Sequence, residues 1–252
     1  MPARHYFFSL EKDFPLTFLS ALGSVYGNYR LSEMSIPERE DVPAPSDLLP
    51  WDRPAVGRYS RAAGDVSTAF AVLGAVPLAL AGYSWYSDDA QGRDVAVFSL
   101  MFAQALAFQN ALNLTVRSME LWPRPYMYAE EGAGAEAARD AEGEAYGSFF
   151  SGHASAAFTV AVFTGEWFSE MYPNSAYRSL VWVSSLSLAG FVGVLRIAAG
   201  KHYPTDVVVG ALAGTGISFA VIGIHKKSVR FGPVSLAGVW AGPGTACLSF
   251  AF

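Results

Sequence analysis

Between Leu195 and Asp206 the chain reads Leu-Arg-Ile-Ala-Ala-Gly-Lys-His-Tyr-Pro-Thr-Asp, a group of polar residues lying between two apolar runs. His202 and Asp206 are four residues apart, which places them on one helical face when a helix starts near Pro204. A carboxylate there can accept the imidazole Nδ1 hydrogen, hold one tautomer and leave Nε2 free to attack. Arg196 adds a fork of donors shaped for phosphate oxygens. This combination is suited to phosphoryl chemistry with histidine as the nucleophile. Arginine, lysine and histidine also flank membrane helices for purely interfacial reasons, so the stretch does not decide the matter by itself.

Two further stretches carry compatible chemistry. Arg117 and Arg124-Pro125 follow an amide-bearing apolar run, and the proline biases Arg124 away from helical geometry so that its side chain can turn back over the helix end. Phe149-Phe150-Ser151-Gly152-His153 immediately precedes another apolar run. Ser151 is placed to cap that helix and Gly152 lets the backbone approach an anion, so the first N–H groups form an anion site. His153 at this point is placed to donate a proton to a leaving oxygen.

The elements that must position these residues are apolar. Of the 252 residues 52% are hydrophobic and 15% charged, against about 25% charged in an ordinary soluble domain. A net charge of -5, with no long basic run, argues against nucleic acid as a partner. The single cysteine, Cys247, rules out an internal disulfide and a cysteine metal cluster. Lys12 and Asp13 interrupt the first apolar stretch, so no secretion signal is read there and the internal runs carry the chain to the membrane.

Those runs are Val66–Ser87 with Pro77 as a kink, Val95–Val116, Ala154–Phe168, Ser179–Leu195 and Val207–Ile224, with Phe14–Tyr29 as a shorter sixth. Gln104, Gln109, Asn110 and Asn113 in the second run must face the bundle interior or a wet site, because amides in hydrocarbon are costly. Gly210 and Gly214 have the spacing that lets helix backbones approach closely. Three parts are expected: residues 1–65, an N-terminal interfacial or membrane segment with a Pro-rich extended loop; 66–231, the helical core; and 232–252, a Gly-rich tail with no assigned structure. Glu130 to Glu144 reads as a mobile acidic loop. His225, Lys226, Lys227 and Arg230 form the most basic short flank, which marks that end as cytoplasmic and puts all three polar stretches at the opposite face.

In this order the three stretches resemble the signature of the type 2 phosphatidic acid phosphatase superfamily: Lys-x6-Arg-Pro, then Pro-Ser-Gly-His, then Ser-Arg-x5-His-x3-Asp. Here they read Arg117-x6-Arg124-Pro125, Phe150-Ser151-Gly152-His153 and Leu195-Arg196-x5-His202-x3-Asp206. Arg117, Phe150 and Leu195 replace the lysine, proline and serine of the pattern; none of the changes removes a nucleophile or an acid. The resemblance implies an all-α integral-membrane bundle of five to six transmembrane helices with the active site at one membrane face. It implies His202 as the nucleophile that forms a phosphohistidine, Asp206 as the residue that orients it and His153 as the proton donor to the leaving group. Arg117, Arg124, Arg196, Ser151 and the Gly152 amide would form the phosphate cradle.

The expected activity is metal-independent hydrolysis of a lipid phosphate or diphosphate, with no cofactor, no metal site and no obligate protein partner implied. A polyprenyl diphosphate, phosphatidylglycerophosphate, phosphatidic acid and a lipid A phosphate all fit. The expected location is the bacterial inner membrane, with the site facing the periplasm or outside. Two other readings compete: a vanadium-dependent haloperoxidase, whose relatives resemble soluble proteins with lysine at the position of Arg117, and a non-catalytic lipid-binding scaffold with a relic site.

Overall fold

The computed structural model describes residues 6–34, 43–119, 122–141, 143–226, 229–231, 234–242 and 245–251. Within them the helices are α1 (Leu10–Ser32), α2 (Arg61–Ala69), α3 (Val76–Tyr86), α4 (Gly92–Arg117), α5 (Gly132–Arg139), α6 (Gly152–Met171), α7 (Arg178–Ala198) and α8 (Pro204–His225). The all-α membrane bundle expected from the sequence is present. The apolar runs lie inside α4, α6, α7 and α8, each extended by polar residues that hydropathy does not count. Caps set the true ends: the Ser151 hydroxyl accepts from Ala154 N at the start of α6, and Pro204 opens α8, where its missing N–H is not needed.

The first core run divides into α2, a 3₁₀ segment Phe70–Ala75 and α3. Pro77 is the second residue of α3 and cannot donate to the carbonyl of Leu73, which accounts for the break just upstream. Four stretches are long and apolar enough to cross a membrane: Arg61–Tyr86, Gly92–Arg117, Arg178–Ala198 and Pro204–His225. The expected count of five to six is reached only with α6 and α1, which are long enough but more polar. Outward-facing side chains such as Phe18, Leu22, Val72, Leu180, Val183 and Val194 are exposed, as hydrocarbon contact requires.

α6 lies at the centre, against α7 and α8. A Cβ on Gly210 would come within 2.5 Å of the Ser151 carbonyl oxygen, and one on Gly214 would strike the Ser155 carbonyl. The two glycines therefore let α8 lie backbone to backbone along α6, as their spacing suggested. α1 runs alongside α4 in the same direction: Gln104 Nε2 donates to Asp13 Oδ1 at 3.0 Å near one end, and a Cβ on Gly27 would come within 2.5 Å of Leu114 Cβ near the other. Phe14–Tyr29 is thus the middle of a 23-residue helix. The main apolar core, including Phe98, Met101, Phe163, Trp167 and Ile222, fills one half of the bundle. The other half holds the polar stretches.

Several loop expectations are revised. The acidic segment expected to be a mobile loop contains α5, with Gly134 and Ala135 buried; its alanines and glutamate favour helix, and Glu142 lies outside the described residues. The Pro-rich segment begins after Ser32 rather than at Arg30; its residues 35–42 are outside the description, and the rest forms short 3₁₀ turns at Pro45–Asp47 and Arg53–Ala55. Leu48 and Ala55 of this segment pack with Tyr203. Asp52 Oδ1 accepts from Thr205 N at 2.9 Å, and Trp51 Nε1 donates to Thr205 Oγ1 at 2.8 Å, so the segment is fastened over the start of α8. Beyond α8 the tail forms an antiparallel sheet, β1 (Val229–Phe231), β2 (Val234–Gly242) and β3 (Thr245–Ala251), in the order β1-β2-β3.

The basic flank that marked the cytoplasmic end is partly neutralised. His225 is buried, its Nε2 2.6 Å from Asp13 Oδ1, and Lys226 Nζ lies 3.3 Å from Glu166 Oε1 and 2.9 Å from Glu170 Oε2. Burial works against the charge on Lys226, but the two glutamates outweigh it and raise its pKa. Lys227 lies outside the described residues.

Candidate active site

The three polar stretches meet at one end of the bundle, at the head of a cavity of about 460 Å³ whose lining includes Arg117, Arg124, Gly152, His153, Arg196 and His202. Each comes from a helix end or the turn beside it. Arg117 closes α4, Gly152 and His153 open α6, Arg196 is in the last turn of α7, and His202 sits in the turn before α8. Arg124 has extended backbone, φ −66° and ψ 149°, as its proline neighbour requires. Backbone bonds tie the stretches together: Tyr126 N donates to Gly200 O at 3.1 Å, and Ser151 N to Asp206 O at 3.0 Å. Gly200 has φ +68°, and a Cβ there would collide with the Arg58 carbonyl, so the turn that carries His202 requires glycine.

His202 is 3% exposed, with Nδ1 2.9 Å from the Ser148 carbonyl oxygen. A carbonyl only accepts, so this bond puts the proton on Nδ1 and leaves the lone pair on Nε2. Asp206 Oδ2 is farther off, 3.5 Å from the same nitrogen. That oxygen accepts from Ser148 Oγ at 2.6 Å and from Tyr203 N at 2.9 Å, so Asp206 also closes the first turn of α8. Burial is the largest influence on His202 and lowers its pKa to about 4; Asp206 opposes this, while Arg196 and Arg124 reinforce it. The imidazole is neutral at pH 7, the state a nucleophile needs.

Asn113 braces the second stretch. Its Nδ2 donates to Phe150 O at 2.6 Å, and its Oδ1 would lie 2.7 Å from a Cβ on Gly152. A side chain at position 152 would push against this amide, which is held by Phe150 O, so one of the amides in the apolar helix shapes the turn. Phe150, which stands where the family pattern has proline, is buried with its carbonyl engaged by Asn113.

Arg196, Arg124 and Arg117 all lie within electrostatic reach of His153. Arg117 Nε donates to Gly147 O at 2.9 Å, and Arg196 Nη1 donates to Ser67 Oγ at 3.2 Å. The Nε–H groups of Arg124 and Arg196 are buried and have no protein partner among the described residues. The cavity lining includes no Asp or Glu. Such a head can hold an anion, because buried guanidinium donors are costly unless paired.

All the site residues expected from the sequence come together here except that Ser151 and Asp206 stand behind the cavity wall rather than in its lining. Ser148, Ser67 and Gly200 were not singled out by the sequence. Ser148 lies three residues before the Ser-Gly-His stretch with no pattern to mark it, and Ser67 is joined to Arg196 across 129 residues. Asn113 was one of the amides already expected to face a wet site.

A family model described as PAP2 superfamily matches residues 94–230, a span running from α4 into β1 that includes all three stretches. No curated protein and no solved structure matches the chain. The family match supports a phosphatase-type activity, the hydrolysis of a phosphoric ester. The matched span exceeds half of the 252 residues, and the chain belongs to the PAP2 superfamily.

Proposed function

We propose that this protein is an integral-membrane lipid phosphatase that works through a phosphohistidine on His202. The observation that carries the reading is a cavity with three arginines and no carboxylate at its head and mainly apolar walls below, including Leu73, Leu106, Val160 and Val192. An anionic head with a hydrocarbon tail matches both parts.

In this mechanism His202 Nε2 attacks phosphorus in line with the ester oxygen. The N–P bond forms as the P–O bond breaks, and His153, which takes up a proton from solvent as the phosphate dianion enters among the arginines, protonates the departing oxygen. Arg117, Arg124, Arg196 and the Gly152 amide stabilise charge on the equatorial oxygens. His153, now neutral, takes a proton from water, whose oxygen attacks phosphorus and releases inorganic phosphate and neutral His202. Asp206 acts on His202 at longer range and through Ser148. Ser151 holds the first turn of α6 so that its N–H groups face the phosphate. No step calls for a metal or cofactor.

The hydrolase reading is preferred to the haloperoxidase and scaffold readings because His202 is neutral beside the Nε–H groups of Arg124 and Arg196, which have no partner among the described residues, at the head of long apolar helices. By the same reading the site faces the periplasm or outside of a bacterial inner membrane. The test is turnover by the purified chain in detergent on polyprenyl, glycerolipid and lipid A phosphates beside glucose 6-phosphate. Lipid phosphates should be cleaved much faster; equal rates on glucose 6-phosphate and every lipid would refute the lipid reading.

A further inference from the structure

The cavity below the arginines is not uniformly apolar. Arg117, Asn113 and Gln109 lie at intervals of four on the same face of α4, and all three line it. At 1.5 Å rise per residue, Gln109 is about 6 Å deeper than Asn113 and about 12 Å deeper than Arg117. The amide of Asn113 is committed to the Phe150–Gly152 turn. Gln104, which does not line the cavity, uses its amide nitrogen on Asp13 and Thr17. Gln109 is buried like both, and its Oε1, like that of Gln104, has no hydrogen-bond partner among the described residues, but of the two orphan oxygens only that of Gln109 belongs to a residue lining the cavity. Deeper still the lining is mainly apolar, with Leu106, Val160, Ala161 and Leu188; Thr164, whose hydroxyl donates to Val160 O, and Ser185 are its polar members.

The vertical order is therefore guanidinium, then an amide with an unpartnered oxygen about one helical turn below Asn113, then a mainly apolar wall. A buried amide oxygen without a partner is unfavourable, and a ligand that cannot donate to it leaves that cost in place. We propose that Gln109 is a specificity-determining residue that reads a hydrogen-bonding group between the phosphate and the tail of the substrate. The class that supplies one is a glycerolipid phosphate with a free hydroxyl a few bonds from phosphorus, as in a lysophosphatidic acid. That hydroxyl would donate to Oε1. A polyprenyl phosphate is hydrocarbon from its first carbon onward and leaves Gln109 unpaired. This inference rests on the lipid phosphatase reading above and narrows it.

The experiment compares kcat/KM for lysophosphatidic acid and for farnesyl phosphate in mixed micelles, using the full chain and the Gln109→Met variant, which keeps length and removes the hydrogen bonds. The wild type should favour lysophosphatidic acid by about ten-fold or more, and the variant should reduce that ratio by about ten-fold. A wild type that favours farnesyl phosphate, or a ratio that the variant leaves unchanged, overturns the proposal. p-Nitrophenyl phosphate, which has neither link nor tail, separates the two levels of failure. If it is cleaved and the lipid ratio does not move, only the role of Gln109 is wrong. If no substrate is cleaved, the phosphatase reading is wrong, and equilibrium binding of the two lipids to wild type and variant still decides the preference.

Discussion

The Nδ1 of His202 is 2.9 Å from the backbone carbonyl of Ser148, closer than its 3.5 Å to Asp206 Oδ2, and the Ser148 hydroxyl in turn donates to Asp206 at 2.6 Å. One residue thus fixes the tautomer through its main chain and reaches the carboxylate through its side chain. The two functions can be separated. Ser148→Ala keeps the carbonyl, so kcat should fall only about ten-fold, whereas Asp206→Asn should cost about a hundred-fold or more by removing the charge beside the imidazole. Steady-state kinetics on both variants, with circular dichroism to check folding, tests this. A Ser148→Ala loss as large as that of Asp206→Asn would mean that Asp206 acts entirely through the hydroxyl.

Acidity is set by burial at the same residue. In the proposed mechanism the neutral form of His202 is the reactive one, and its pKa is lowered from 6.5 to about 4. The acid limb of kcat/KM assigned to the nucleophile should therefore fall near pH 4, with activity kept on its account at pH 5.5. The sign for stability follows: between about pH 6.5 and 4 the unfolded chain binds a proton that the folded chain does not. His202 therefore makes the fold less stable as pH falls through that window. A pH–rate profile with wild type and His153→Ala separates the two histidines. An acid limb near 6.5 that persists in His153→Ala would contradict the burial of His202.

Close packing of α6 and α8 supports the whole site, since Ser151 and Ser155 on one helix face Gly210 and Gly214 on the other. Gly214→Ala forces a methyl group onto a backbone carbonyl that cannot move aside, and should destabilise by about 1–3 kcal/mol. Gly216→Ala, where a Cβ meets nothing within 4 Å, should instead stabilise by up to about 1 kcal/mol through helix propensity. Thermal unfolding in detergent checks both. Equal midpoints for the two variants would show that the glycine contact is not a constraint.

How much of this was legible in the sequence depended on range. His202, His153, Arg117, Arg124 and Arg196 could be read because each occurs in a short, ordered motif, and α4, α6, α7 and α8 because apolar runs of that length have few alternatives. What could not be read was settled by distant partners. Asp13 looked like an interruption of an apolar segment and His225 like part of a basic flank, yet they form one buried pair 212 residues apart that joins α1 to the end of α8. Ser148 belongs to no motif, and its role follows from which carbonyl happens to face an imidazole 54 residues later. α5 was hidden because acidic, Gly- and Ala-rich composition suits a solvated loop as well as a short helix.

In the proposed mechanism His202 becomes covalently phosphorylated during each turnover. A brief reaction with a lipid carrying labelled phosphate, quenched at alkaline pH where a phosphohistidine survives, should leave label on the peptide containing His202. His153→Ala should still accept label from a good leaving group but release it slowly, because the water-activating base is gone. His202→Ala should carry no label and show no turnover. A His202→Ala variant that still hydrolyses the lipid would contradict the account, whatever the other variants do.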